Sequence, residues 1–561
     1  MLGQKQLPLR DGDQGFLGMD AFAPPDELRP GFYRYAENCR IENGEAVTRK
    51  GLSWVLGQGD FGVEFPITFP VTWDDILNRK VYGTGEYRDP DGAAWSVRVF
   101  ADQTTLLRSG YPEETLSYPI GEEISGPVRV VQAFNQIVLL RGIDAAPLKW
   151  DGDFTNDFQD YPGSDIENGF DGLYFQNRLW VLYGRDRLQY SDVLSSTFAT
   201  LSDFSINEGD ESNLVRIFPF NETTLLLFKS RQIWGLKDVY GDPATNSRLT
   251  LINSSRGCIA GDTVVDVGPD VFFLSDGGVF ALTMVDQTRS QLRDLPISRP
   301  IQPIIDRINW RYASSAQAAY FDNKYYLAVP LDDSTINDTV LVYDLLRQAW
   351  VSVDTFAAVE GFAVDRWIRF QYLGRDVLGA VHPNGYILAY EYTTLADDNP
   401  AFATGGPQEQ IPFRLDSRFY RAGYPERKRW LSLRATLETV HPSLTVYVET
   451  QGVGESVLSP INGLTRRTDR FVHAHQTDTA IDNAADTWEL PHRQDYYAPT
   501  DTDFNLGSGM LLQRMQRWTL PLPCRRTATG LAISIRNAQG RVRVCDIEAG
   551  AAPLPTSRLT T

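Results

Sequence analysis

Gly57-Gln-Gly-Asp-Phe-Gly62 has the G-x-G-x-x-G spacing of a dinucleotide-binding turn. Such a turn works by opening a helix whose N-terminal amides meet a pyrophosphate. Val63-Glu-Phe-Pro-Ile-Thr-Phe-Pro70 follows instead, and its two prolines forbid that helix. His473-Ala-His475 could place two imidazoles on one face of a strand, as some metal sites do. No carboxylate or cysteine completes the set at an obvious spacing, so a solvated loop is the better reading. Asp11-Gly-Asp13, Asp151-Gly-Asp153 and Asp501-Thr-Asp503 offer oxygen ligands suited to calcium. None continues into a full ligand loop, and Asp-Gly is ordinary turn chemistry. There is no G-x-x-x-x-G-K-[ST] phosphate cradle and no G-x-S-x-G elbow. Histidine is absent before His382, which removes the usual general base from most of the chain. The 72 acidic residues leave room for a paired-carboxylate glycosidase. The repeated Ser-x-Asp-x-Gly-x-Thr-Trp turn of sialidase blades is missing, however. The sequence therefore assigns no catalytic, cofactor-binding or metal-binding residue, implies no cofactor, and reads as a non-enzyme.

The elements that would carry any such site are strands. Short runs rich in Val, Ile, Leu and aromatics end in Gly, Asn or Asp, which predicts strands and hairpins. Helical periodicity is nearly absent, with Ile304 to Tyr312 the best stretch. One pattern recurs: an aromatic, an Asn within two positions, then large apolar residues. It appears at Phe134-Asn135, Phe175-Gln-Asn177, Phe220-Asn221 and Phe321-Asp-Asn323. The run from Phe272 to Gly278 fills the gap before the last of these. A second aromatic strand follows each copy, as in Leu148-Lys-Trp150, Leu188-Gln-Tyr190, Ile233 to Leu236, Val279 to Leu282 and Leu341-Val-Tyr343. His382-Pro-Asn-Gly385 before Tyr386 to Tyr390 is a further copy with a type I′ signal. A lone hairpin cannot bury its apolar face, so such units must stack. The predicted fold class is all-β: a β-propeller of about five to seven blades with a C-terminal β-sandwich or jelly-roll domain.

The expected organisation is an N-terminal arm or platform over 1–62, the propeller over 63–395, and a linker over 396–410. The C-terminal sandwich then covers 411–561, with a long polar insert at 452–503. Its expected strands are Trp430 to Leu437, Leu444 to Glu449, Met515 to Leu520, Leu531 to Arg536 and Val542 to Glu548. Charge divides at the same place. Residues 411–561 hold 19 basic and 15 acidic side chains, or +4, so the first 410 carry −23 of the total of −19. Such a chain, with pI near 4.8, repels a phosphate backbone and is a poor groove reader. No apolar run approaches the ~18 residues of a membrane span. Met1 to Met19 lacks the apolar core of a secretory signal. Four scattered cysteines, Cys39, Cys258, Cys524 and Cys545, predict a reducing compartment, with Cys524 and Cys545 able to sit on neighbouring strands. Arg outnumbers Lys 45 to 8, as suits large interfaces.

Pro24-Pro-Asp-Glu-Leu-Arg-Pro-Gly-Phe-Tyr-Arg-Tyr-Ala-Glu-Asn-Cys-Arg-Ile-Glu-Asn-Gly44, running on to Thr48-Arg-Lys-Gly51, resembles the opening of bacteriophage tail proteins. Tyr190-Ser-Asp192 through Phe204-Ser-Ile206 and Leu225 to Trp234 are similar to the same group. So are Gly257-Cys258 leading to Asp270 to Phe280, and Arg427-Lys-Arg-Trp430. The family it most resembles is that of tail nozzle, or tail tubular B-type, proteins. That resemblance implies a structural virion protein made in the host cytoplasm and built into the tail. Its subunits would form a homo-oligomeric ring, sixfold in that family, below portal and adaptor proteins, with tail fibres outside. Double-stranded DNA would pass through the lumen without specific binding, and an acidic lining would favour its sliding. Two rivals remain: an adsorption protein recognising a host receptor or glycan, and a propeller depolymerase.

Overall fold

The computed structural model describes residues 7–10, 15–54, 80–108, 111, 113–161, 166–199, 202–286, 289–292, 295–356, 362–372, 375–383, 387–391, 396–397, 409–421, 427–439, 444–450, 454–460, 496–497, 513–514, 516–537 and 542–553. The fold is mostly β, in many small sheets. Among the described residues no helix is long and apolar enough to cross a membrane. The helix expected over Ile304 to Tyr312 is one turn, Gln302–Ile305, after which the Asn309 amide turns away to the Pro330 carbonyl.

Seven four-stranded antiparallel units follow one another, here numbered I to VII by their first strands. These strands are Gly83–Arg88, Arg129–Ala133, Gly169–Phe175, Leu214–Asn221, Val265–Asp266, Gln317–Phe321 and Arg366–Tyr372. The second strands explain the continuous apolar runs of the sequence, because each is buried on both faces and needs no polar alternation. In Gln136–Leu140 of unit II, Ile137 and Leu139 pack with Tyr87 and Val97 of unit I. Val138 and Leu140 turn the other way, onto Leu179 and Val181 of unit III. In Thr224–Lys229 of unit IV, Leu225 and Leu227 face unit III while Leu226 and Phe228 face Phe273 of unit V. Unit VII packs on unit I in the same manner, with Ile368, Val381 and Ile387 against Val81 and Phe100. Thr84 Oγ1 and Ser96 Oγ of unit I also donate to the carbonyls of Trp367 and Arg369, at 3.4 and 3.0 Å.

Three of the asparagine turns stand where the sequence placed them; Asn221 instead ends its strand and accepts the Thr223 amide at 2.9 Å, and Asn384-Gly385 lies outside the described residues. Phe134-Asn135, Gln176-Asn177 and Asp322-Asn323 all have positive φ, between 47° and 60°, as a two-residue type I′ hairpin requires. Unit V breaks the pattern. Its turn at Asp276-Gly277 joins the second and third strands, Asp270–Ser275 and Gly278–Asp286, rather than the first and second. The run from Phe272 to Gly278 is thus one strand out of phase with the other copies. The first strands approach closely: a Cβ at Gly85 would lie 2.7 Å from Val130 Cβ, and one at Gly83 2.5 Å from the Val128 carbonyl oxygen.

The N-terminal segment is divided among four sheets, one of them its own parallel pair Gly18–Met19 and Phe32–Tyr33, rather than set apart as an arm. Ser53–Trp54 pairs with Ile387–Ala389 and supplies the fourth strand of unit VII. Tyr35–Glu37 runs between Ala349–Thr355 of unit VI and Phe413–Asp416, extending unit VI into a nine-stranded sheet. Cys39–Glu42 and Glu45–Thr48 form a hairpin whose second strand pairs with Val542–Pro553. That six-stranded sheet also holds Lys428–Thr439 and Gln516–Ala528. Its Trp430, Leu437, Val542 and Val544 share one core with Phe413, Leu415, Ile533 and Ile535 of the nine-stranded sheet, so the two sheets pack face to face.

Several boundaries differ from expectation. The stretch read as a linker closes on itself, Ala396–Asp397 pairing with Glu409–Gln410. The polar insert expected from 452 begins with a strand, Gly454–Pro460, which pairs with Leu444–Thr450 at the sheet edge. Gln516–Ala528 and Val542–Pro553 lie on opposite sides of Lys428–Thr439, so Cys524 and Cys545 are not on neighbouring strands. Buried Cys39 and Cys258 are free thiols.

Two buried ion clusters fasten these parts. Arg40, from the N-terminal hairpin, donates to both Asp354 oxygens at 2.9 and 2.5 Å, and its Nε pairs with Glu391. Tyr390 and Ser352 hydroxyls donate to Asp354 at 2.5 and 2.6 Å, and the Tyr326 hydroxyl donates to Glu391 at 2.9 Å. In unit IV, fully buried Lys229 donates to Asp186 at 2.8 Å, Asp210 at 2.6 Å and the Ile206 carbonyl at 3.1 Å.

Candidate functional site

The first strands of all seven units, with the short turn Gly261–Thr263 ahead of unit V, surround one cavity of about 380 Å³. Each contributes side chains because successive residues of a strand point to alternate faces. Arg129 of unit II, Asp171 of III, Arg216 of IV, Asp262 of V, Gln317 of VI and Arg366 of VII meet there. Their sequence spacings are 42, 45, 46, 55 and 49 residues.

Asp171 is the anchor. A register shift between Gly169 and Asp171 turns its carboxylate inward, where it is 3% exposed. One oxygen accepts the Ile217 amide at 2.8 Å, and the other stands 3.2 Å from Arg129 Nε and 3.3 Å from Arg216 Nη1. Asp262 Oδ1 accepts from Arg216 at 3.0 Å and from Arg129 at 3.4 Å, while Gln317 Nε2 donates to Oδ2 at 3.1 Å. Opposite charges thus alternate around the cavity, and each pair crosses between units.

Burial pushes the Asp262 carboxyl up, but Arg216, Arg129 and Arg366 outweigh it and hold it at about 2. Burial also lowers the Arg129 guanidinium, and the neighbouring Arg216 lowers it further. Burial acts likewise on Arg216, but Asp171 and Asp262 raise it overall. A carboxyl depressed in the folded state stabilises the fold above its ordinary value near 3.8, and that contribution is lost as pH falls toward 2. The urea midpoint is therefore expected to fall between pH 4 and pH 2, and less steeply in Asp262→Asn than in the parent. Equal slopes in the two proteins would show that Asp262 does not set this acid limb.

This cluster is not among the motifs singled out in the sequence. The signal that marks it is the repeat itself, with one charged or amide side chain near the start of each unit. Of those motifs, Asp151-Gly-Asp153 is a turn: Asp151 Oδ1 accepts the Asp153 amide at 3.0 Å, and Asp153 Oδ1 the Thr155 amide at 2.9 Å. Gly57 to Gly62, His473 and His475, Asp11 and Asp13, and Asp501 and Asp503 lie outside the described residues. Among the described residues no three His, Cys, Asp or Glu side chains gather as a metal site.

No protein-family model and no curated protein matches this chain. Solved structures do. The extracellular domain of a protein described as a one-component system from B. thetaiotaomicron is 11% identical with a TM-score of 0.39, covering 77% of this chain and 58% of that one. BamB from Moraxella catarrhalis is 12% identical with a TM-score of 0.35, covering 56% of this chain and 83% of its own. PorZ, a surface component of the type-IX secretion system of Porphyromonas gingivalis, is 13% identical with a TM-score of 0.35, covering 61% and 42%. This chain thus spans less than two thirds of the first neighbour's length. At TM-scores of 0.35 to 0.39 these are distant likenesses, and what those proteins do says nothing of this chain.

Proposed function

We propose that units I to VII are the blades of a closed seven-bladed β-propeller, and that the chain is a structural subunit of a bacteriophage tail ring. The packing of unit VII on unit I, and the cavity that all seven units share, support closure. The observation that carries the structural role is the nine-stranded sheet running without a break from unit VI into the C-terminal sheets. A strand of the N-terminal segment, Tyr35–Glu37, lies inside it, within the stretch that resembles tail nozzle proteins. Backbone ladders across three chain regions transmit force between the two halves, which a ring under ejection load requires. Subunits repeating one heterologous contact close into a ring, and six is the number the resemblance implies. The acidic 410-residue part would line the lumen and keep DNA sliding, since lysine or arginine contacts would add salt-dependent friction. Adaptor proteins above and fibres outside would complete its contacts.

Electron microscopy of the purified full chain, beside its mass in solution across salt conditions, tests this reading. A ring with a central pore lined by Asp and Glu is the expected result. Monomers at every salt concentration, or a ring with a basic pore, would overturn it. Capture of the monomer on host cells, or new reducing ends from host polysaccharide, would move the reading to the adsorption protein or the depolymerase.

A further inference from the structure

We propose that the central cavity binds a small multivalent oxyanion of the phosphate class, held between the guanidinium groups of Arg129, Arg216 and Arg366. The first support is charge. Four arginines line the cavity, these three and Arg369, against three carboxylates, Glu86, Asp171 and Asp262. That is a local positive surplus in a chain of net charge −19. The second is unused donor capacity. Arg216 is 9% exposed, yet its buried Nε finds no hydrogen-bond acceptor, and Nε of Arg366 makes no hydrogen bond but a long ion pair, 3.4 Å to Asp365. Buried donors without acceptors cost about 1–3 kcal/mol each, more when charged, so such groups mark where an acceptor belongs.

The third support is crowding among the cations. Asp262 Oδ1 is shared by two guanidinium groups. Arg366 has Asp365 at 3.4 Å as its ion-pair neighbour among the described residues. Burial pushes the Asp365 carboxyl up, which weakens it as a counter-ion. Guanidinium donors fixed on three different units, converging on one space, match the several oxygens of a tetrahedral oxyanion. A cation would meet the arginine surplus. A cavity of about 380 Å³ has room for a small ion with water. The site is independent of the ring reading, since it lies within one subunit.

The test is calorimetric titration of the purified full chain with sodium phosphate, with sodium chloride at matched ionic strength as the blank. Sodium sulfate and sodium succinate serve as parallel arms. Saturable binding of one phosphate per chain, with Kd below about 1 mM, is expected, together with a rise in the thermal midpoint. Arg366→Gln should weaken it by about tenfold or more. Arg248→Gln, at an exposed outer strand of unit IV, should leave it unchanged. Tighter binding of succinate than of phosphate would reassign the class to carboxylates and overturn the phosphate proposal. No saturable binding to the parent, or equal binding by the parent and a folded Arg366→Gln, would overturn the site. The parent titration decides the matter even if Arg366→Gln does not fold.

Discussion

Arg40→Met is expected to destabilise the protein by about 3–5 kcal/mol, read as a lower urea midpoint, because it leaves a buried charge uncompensated. The methionine keeps the apolar stem and removes the guanidinium, so Asp354 and Glu391 would face each other inside the protein. Arg40 is 6% and Asp354 0% exposed, so water cannot replace the lost partner. The hydroxyls of Tyr390 and Ser352 still donate to Asp354, which sets the upper bound on the damage. Burial pushes the Asp354 carboxyl up, but Arg40 overrides it and holds it below the usual range. Its contribution is therefore present above the ordinary carboxylate value and fades as pH falls through the folded one. Arg40→Met should reverse that balance for Asp354, leaving burial to dominate a carboxylate that has lost its guanidinium. The variant should accordingly lose less stability than the parent as pH falls below about 4. A shift of the urea midpoint worth under about 1 kcal/mol would show that the cluster does not hold the N-terminal hairpin to units VI and VII.

Lys229→Met is expected to cost a similar amount, about 3–5 kcal/mol, for the same reason in a different place. The ammonium is fully buried between Asp186 and Asp210 and accepts no substitute from solvent. Burial pushes the Asp210 carboxyl up, while its bonds from Lys229 and Ser212 bring it below the ordinary value. Removing the lysine strands two carboxylates and the Ile206 carbonyl together. The triple variant Lys229→Met, Asp186→Asn, Asp210→Asn should recover part of the loss, since paired removal is cheaper than breaking a pair. Denaturant midpoints for the four combinations decide the case. No recovery in the triple variant would mean that the stranded carboxylates are not the source of the loss.

The hairpins were the most legible part of the sequence. Asn135, Asn177 and Asn323 could be read because a type I′ turn demands positive φ, which few residue types accept cheaply. The continuous apolar second strands were equally plain, since burial on both faces erases alternation. Unit V was misread because Asp276-Gly277 carries the same turn chemistry one strand later. Local residues report that a turn exists, not which strands it joins. The division of the N-terminal segment among four sheets was invisible for a related reason. Tyr35–Glu37 pairs with strands more than 300 residues away, and short edges such as Ser53–Trp54 carry no pattern of their own. The central cluster was hidden because Arg129, Asp171 and Asp262 look like surface charges until the repeat brings them together.

The pairing of Glu45–Thr48 with Val542–Pro553 has a consequence in time. At about 5–20 residues per second of synthesis, the N-terminal hairpin waits on the order of half a minute to two minutes for its partner. Ser53–Trp54 likewise waits for Ile387–Ala389. Until then both present open strand edges, the surfaces most prone to pair with another chain. Crowded nascent copies on one messenger would meet each other through these edges first. The same threading that ties the finished molecule together leaves these edges open for as long as the chain between the partners is being made.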